Sequence, residues 1–63
     1  MESFSIVDVK LYFSSREGDI EGVAVAIAQG GRVSMRNSQG YTPLLAAAQN
    51  GHTDICVLLL VAM

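Results

Sequence analysis

The 63-residue sequence predicts an all-α fold: two helix-turn-helix hairpins in tandem, with an extended finger or turn between them. Three observations predict it. Gly18 and Gly51 stand 33 residues apart, and each is followed by a polar residue and then an apolar segment of helix length. Thr42 and Pro43 open an alanine- and leucine-rich stretch in the way that an N-cap and a first-turn proline do. Hydrophobic residues make up 51% of the chain and charged ones only 16%, so the chain must bury surface. A domain this small hides only about 60% of the surface it exposes when unfolded, and is marginal without a staple.

The first element, residues 7–13, supports two readings. Val7-Asp-Val-Lys-Leu-Tyr-Phe13 alternates strictly, as a half-buried strand would. Ser5 and Asp8, however, have the spacing of a capping box, and the 33-residue register makes this the first helix of a unit. Helix is the expectation. Asp19 then caps a second helix, with Ile20, Val23, Ala24 and Ile27 as its apolar stripe and Gly30-Gly31 ending it. The run of residues 23–28 also alternates, but alanine is a poor strand former.

Residues 32–41 hold Asn37-Ser-Gln-Gly40, whose composition suits a tight turn with Gly40 at positive φ, so an exposed extended loop or a two-stranded finger is expected there. Residues 42–50 read as a short helix stopped by Gly51. A last helix starts near His52 or Thr53, gains Asp54 in its first turn, and sets Ile55, Leu58, Leu59 and Ala62 on one face. Sliding the chain on itself by 33 gives identities only at Ser5/Ser38, Leu11/Leu44 and Gly18/Gly51. Residue classes agree better: Glu21 with Asp54, Val23 with Cys56, Val25 with Leu58 and Ile27 with Leu60.

Composition narrows the function. A net charge of -2 with scattered cations (Lys10, Arg16, Arg32, Arg36) argues against a dedicated nucleic-acid binder, which needs clustered Lys and Arg. The nine-residue apolar run at 55–63 falls short of the roughly 17–25 residues that span a bilayer, and the last helix lacks the basic face of a membrane-surface peptide. Glu2 and Asp8 stand where a signal peptide would be basic and apolar, so the expected location is cytoplasmic or nuclear. One cysteine closes no internal disulfide, and one histidine makes a four-ligand zinc site untenable. No cofactor is expected.

The residues from Gly40 to Leu60, Gly40-Tyr-Thr-Pro-Leu-Leu-Ala-Ala-Ala-Gln-Asn-Gly-His-Thr-Asp-Ile-Cys-Val-Leu-Leu-Leu60, resemble an ankyrin repeat. The family pattern is Gly-x-Thr-Pro-Leu-His-x-Ala-Ala-x-x-Gly-His-x-x-Ile-Val-x-Leu-Leu-Leu. Gly30-Gly-Arg-Val-Ser-Met-Arg-Asn37 resembles the turn-finger that leads into a repeat, with Val33 as its buried hydrophobe. Residues 4–29 resemble only a degenerate first repeat. The resemblance implies an arm at 1–5, a degenerate first repeat or N-terminal cap with finger at 6–37, and a second repeat at 38–63 truncated at its C-terminus, as in a fragment or shortened form of a longer array. It implies close packing at Ala46, Ala47 and Ala48, with Ser14 and Ser15 in the same role upstream, and Leu58, Leu59 and Leu60 between layers. Leu45 departs from the family's histidine, which removes the polar bridge that histidine makes.

Catalytic readings are weak beside this. His52 and Cys56 share a helical side at i and i+4, yet have no third orienting group; the bland reading is a loop histidine and a small buried hydrophobe. Glu17, Asp19 and Glu21 stand where helix starts favour negative charge. Gly30-Gly31-Arg32 lacks phosphate-loop spacing and reads as a helix C-cap. An enzyme is therefore not expected. The resemblance implies a non-catalytic protein-protein interaction module binding through Ser38, Gln39, Tyr41, Gln49 and Asn50, with Tyr41 as anchor and Met35 as further apolar contact on the finger. The competing expectation is a purely structural cap with no partner of its own. In that reading residues 55–63 dock on a next repeat; if the short form is instead the genuine product, the uncovered C-terminal face favours self-association through Leu58, Leu60 and Val61, which a sharply melting monomer would contradict.

Overall fold

The computed structural model describes residues 5–63. They form four helices and no strand: α1 (Ile6–Glu17), α2 (Ile20–Ala28), α3 (Pro43–Gln49) and α4 (Thr53–Ala62). The arm assigned to residues 1–5 lies outside the described residues except for Ser5.

Residues 6–17 are helical because both ends are specified locally. The Asp8 amide donates to Ser5 Oγ (3.1 Å) and the Ser5 amide to Asp8 Oδ2 (3.4 Å), completing the capping box. At the other end Gly18 takes φ +84° and sends its N–H to the Ser14 carbonyl, a left-handed cap natural to glycine. The alternation that suggested a strand has another origin. Leu11, Ser14 and Ser15 face inward with helical spacing, while Val9 and Phe13 are exposed. α1 is apolar on two faces, and the two together imitate period two.

Asp19 caps α2 by accepting from the Gly22 amide at 3.0 Å. Its buried face is Gly22, Val23 and Ala26, not the stripe through Ile20 and Ala24 that hydrophobicity suggests; both of those are exposed. Gly22 explains the rotation. A Cβ there would stand 2.6 Å from Ser14 Oγ, so the bare glycine backbone lets α2 approach α1 on that side.

The connection over residues 29–42 adopts turns rather than a two-stranded ladder. Asn37 organises its tip: the Gly40 amide donates to the Asn37 carbonyl (2.9 Å), and Asn37 Oδ1 accepts from the amides of Gln39 (2.9 Å) and Tyr41 (3.0 Å). This is an Asx-type turn, with Gly40 at φ +83° as its composition predicts. Thr42 Oγ1 then accepts from the Leu45 amide at 3.2 Å, and Pro43 sits buried at the first helical position.

Inside, Leu11, Val23, Ala26, Ala47, Ile55 and Leu59 form one buried cluster drawn from all four helices, flanked by Val7, Ile27, Val33, Leu44, Cys56 and Leu58. α1 packs on α2 and α3, α3 on α4, and α2 on α4, so neither hairpin has a core of its own. Ala46 and Ala47 are buried in α3, as Ser14 and Ser15 are in α1; Ala48 is exposed. In α4, Leu59 is fully buried and Leu58 half-buried. Leu60 points outward at 57% exposure, as does Ala62, against the expectation that both turn inward.

Candidate protein-interaction surface

The five residues expected to carry binding fall into two groups. Ser38 and Gln39 are exposed at the tip of the Asn37-braced turn, with Tyr41 half-buried at its base. Gln49 and Asn50 are exposed at the far end of α3, a helix of seven residues and so about 10 Å long. The side chain of Asn50 is partly engaged, since Nδ2 donates to the Ala46 carbonyl at 2.9 Å. Met35, like Tyr41, is half-buried rather than fully presented.

Two features escaped sequence reasoning. The first is the tie between α1 and the loop after α2. The Arg32 amide donates to Asp8 Oδ1 (2.9 Å), and the Arg32 guanidinium reaches Asp8 Oδ2 through Nη2 (2.9 Å) and Nε (3.3 Å). Asp8 is buried at 3% exposure, while the Arg32 side chain is half in solvent. The Arg32 backbone N–H is the main cause that holds the Asp8 carboxyl below the ordinary carboxylate range; the guanidinium and the Ser5 N–H add to it, and burial opposes it. The acid that caps α1 thus also fixes where the finger departs.

The second feature is a shallow apolar groove lined by Val9, Tyr12, Phe13 and Asn37, with a volume of about 180 Å³. The Tyr12 and Phe13 rings meet edge to face, 5.5 Å between centroids and 83° between planes. The signal for it was in the sequence, as Ile6, Val9 and Phe13 repeat at helical spacing on the side of α1 opposite the buried stripe.

Of the residues weighed for chemistry, His52 and Asp19 have their atoms engaged in the fold. His52 Nε2 lies 3.0 Å from the Arg16 carbonyl and donates to it, joining the loop before α4 to the end of α1. Gly18 leaves room for that ring, since a Cβ there would lie 2.7 Å from His52 Cε1. Cys56 is half-buried and packs against the core. Asp19 is occupied in capping α2, and Glu17 and Glu21 are exposed. The successive amides of Gly30, Gly31 and Arg32 donate to Ile27, Ala26 and Asp8, which leaves no amide nest for a phosphate. Among the described residues no three His, Cys, Asp or Glu side chains are arranged to hold a metal ion, and no helix is long and apolar enough to cross a membrane.

Paired short helices stacked through small residues, with a turn-built loop between the pairs, define a helical-repeat protein. The family model for ankyrin repeats (many copies) matches residues 11–60. The chain belongs to the ankyrin-repeat family. It is 38% identical over 55 residues to the histone-lysine N-methyltransferase EHMT1 of both Mus musculus and Homo sapiens, a match that takes in 84% of this chain and 4% of each relative. It is 43% identical over 44 residues to acyl-CoA-binding domain-containing protein 4 of Oryza sativa subsp. japonica, covering 70% of this chain and 13% of that protein. The chain therefore spans only a small part of the relatives it matches. Ankyrin repeats are generally protein-protein interaction modules and generally not enzymes.

Proposed function

We propose that this chain is a non-catalytic binding module of the cytoplasm or nucleus, whose repeat units at 6–37 and 38–63 present a protein partner with the finger tip and the exposed side of α3. The observation that carries this reading is the Asn37 brace. Three hydrogen bonds to Asn37 oxygens fix the turn and hold Ser38, Gln39 and Tyr41 in one shape before any partner arrives. A preformed loop loses less entropy on binding than a mobile one. Gln49 and Asn50 would extend the contact along α3, and Tyr41 is its anchor, as aromatic residues often are.

Tyr41→Ala is expected to weaken partner binding by about tenfold, equivalent to about 1.4 kcal/mol, while leaving helix content unchanged. Isothermal titration of both proteins with a partner captured by the wild-type chain measures this; equal affinities would remove Tyr41 from the site. The competing reading, a structural unit that associates with its own kind, is favoured by the outward Leu60 and Val61 at 57% and 78% exposure. Sedimentation of the same samples separates the two, since self-association raises the mass with concentration when no partner is present.

A further inference from the structure

α1 spends apolar side chains on both faces, although only one packs inward. Val9 and Phe13 remain 41% and 47% exposed and, with Tyr12 and Asn37, line the groove. Its neighbours in the chain are largely cationic. Arg16 follows Tyr12 and Phe13 by four and three positions, Lys10 precedes Phe13 by three, and Arg36 adjoins Asn37 in the chain; all three are exposed. Glu17, four residues after Phe13, is the one carboxylate of α1 on that side, because Asp8 is turned inward onto Arg32. Asp19 and Asp54, by contrast, stand at the starts of α2 and α4, and the exposed Glu21 lies in the first turn of α2. Three of the chain's four cations thus stand within four positions in sequence of a residue that lines the furrow.

We propose that the Val9–Tyr12–Phe13–Asn37 groove docks an acidic segment of a partner protein, inserting an aromatic or aliphatic side chain between the Tyr12 and Phe13 rings and Asn37. The partner's flanking carboxylates lie over Lys10, Arg16 and Arg36. Charge complementarity selects this occupant: apolar contact supplies the anchor, and the cations attract its carboxylates and repel basic competitors. Asn37 spends Oδ1 on the finger amides, and its Nδ2 is left to donate to the partner's backbone. This assignment rests on the chain being a protein-binding module, but places the acidic contact on α1 rather than at Tyr41.

The test is selection from a displayed library of random dodecapeptides against the immobilised full chain, followed by titration of the most enriched peptide as a synthetic probe. Peptides with Asp or Glu flanking a Phe, Leu or Met are expected. Their affinity should fall about tenfold with Phe13→Ala and again with Arg16→Glu, and weaken as salt rises. Both substituted positions are exposed, and circular dichroism checks that each variant keeps its helix content. Enrichment of neutral or basic peptides, or binding that survives Phe13→Ala, overturns the groove assignment while the module reading stands. A dimer that Phe13→Asp dissociates gives the groove to a second copy and also overturns it. A library with no binder at all overturns the module reading itself.

Discussion

Leu59→Ala is expected to destabilise the fold by about 3 kcal/mol, whereas Leu60→Ala, one residue further on, changes stability by less than about 0.5 kcal/mol. The two leucines are the same residue type at adjacent positions of α4. They differ in that Leu59 is fully buried in a cluster with Leu11 and Val23 of the first hairpin, while Leu60 is more than half exposed. A domain of this size commands only about 3–5 kcal/mol in total, so the Leu59 variant should be largely unfolded at room temperature. Urea titration followed by far-UV circular dichroism measures both. Equal losses would mean that α4 is rotated from the position described.

Removing the Asp8 carboxylate should have the second largest effect. Asp8→Ala removes the carboxylate that accepts from the Arg32 amide, the Arg32 guanidinium and the Ser5 amide, and is expected to cost about 2–3 kcal/mol. The value stays at this modest level because the Arg32 side chain is half in water. The same contact sets a pH dependence. Because the carboxyl is held below its unfolded value of about 3.9, its stabilisation is complete above that pH and is lost as pH falls through the lower folded value. Wild type should therefore lose this contribution to stability as pH falls below about 4. Asp8→Asn, which cannot ionise, should begin weaker at neutral pH and show a flatter acid limb. Parallel curves for the two proteins would remove Asp8 from the titration.

Most of the architecture is legible where the decisive interaction is short-range. Ser5 with Asp8, Asp19 with Gly22, and Thr42 with Leu45 are all contacts three residues apart, and each declares a helix start through its own residue types. Gly18 and Gly40 adopt the positive φ that their turns require. What lies hidden is long-range or carried by residues without hydrophobic signal. Asp8 and Arg32 are 24 positions apart, and nothing in the pattern pairs them. The inward face of α2 is set by Gly22, which hydropathy ranks below Ile20 although its missing side chain brings the helices together. The α1 groove was obscured because two apolar faces on one helix produce an alternation that mimics a strand. At the finger, the sequence locates Ser38, Gln39 and Tyr41, but only the fold separates them from Gln49 and Asn50 by the length of α3.

The binding readings all presuppose that the two helix pairs melt as one body. Native-state amide hydrogen exchange in increasing denaturant tests this directly, by following Leu11 and Val23 in the first pair and Ala47 and Leu59 in the second. A shared core predicts that all four amides converge on one opening free energy and one denaturant slope. If the α1–α2 amides open with a free energy and slope distinct from those of α3–α4, the pairs fold separately and the common core is refuted.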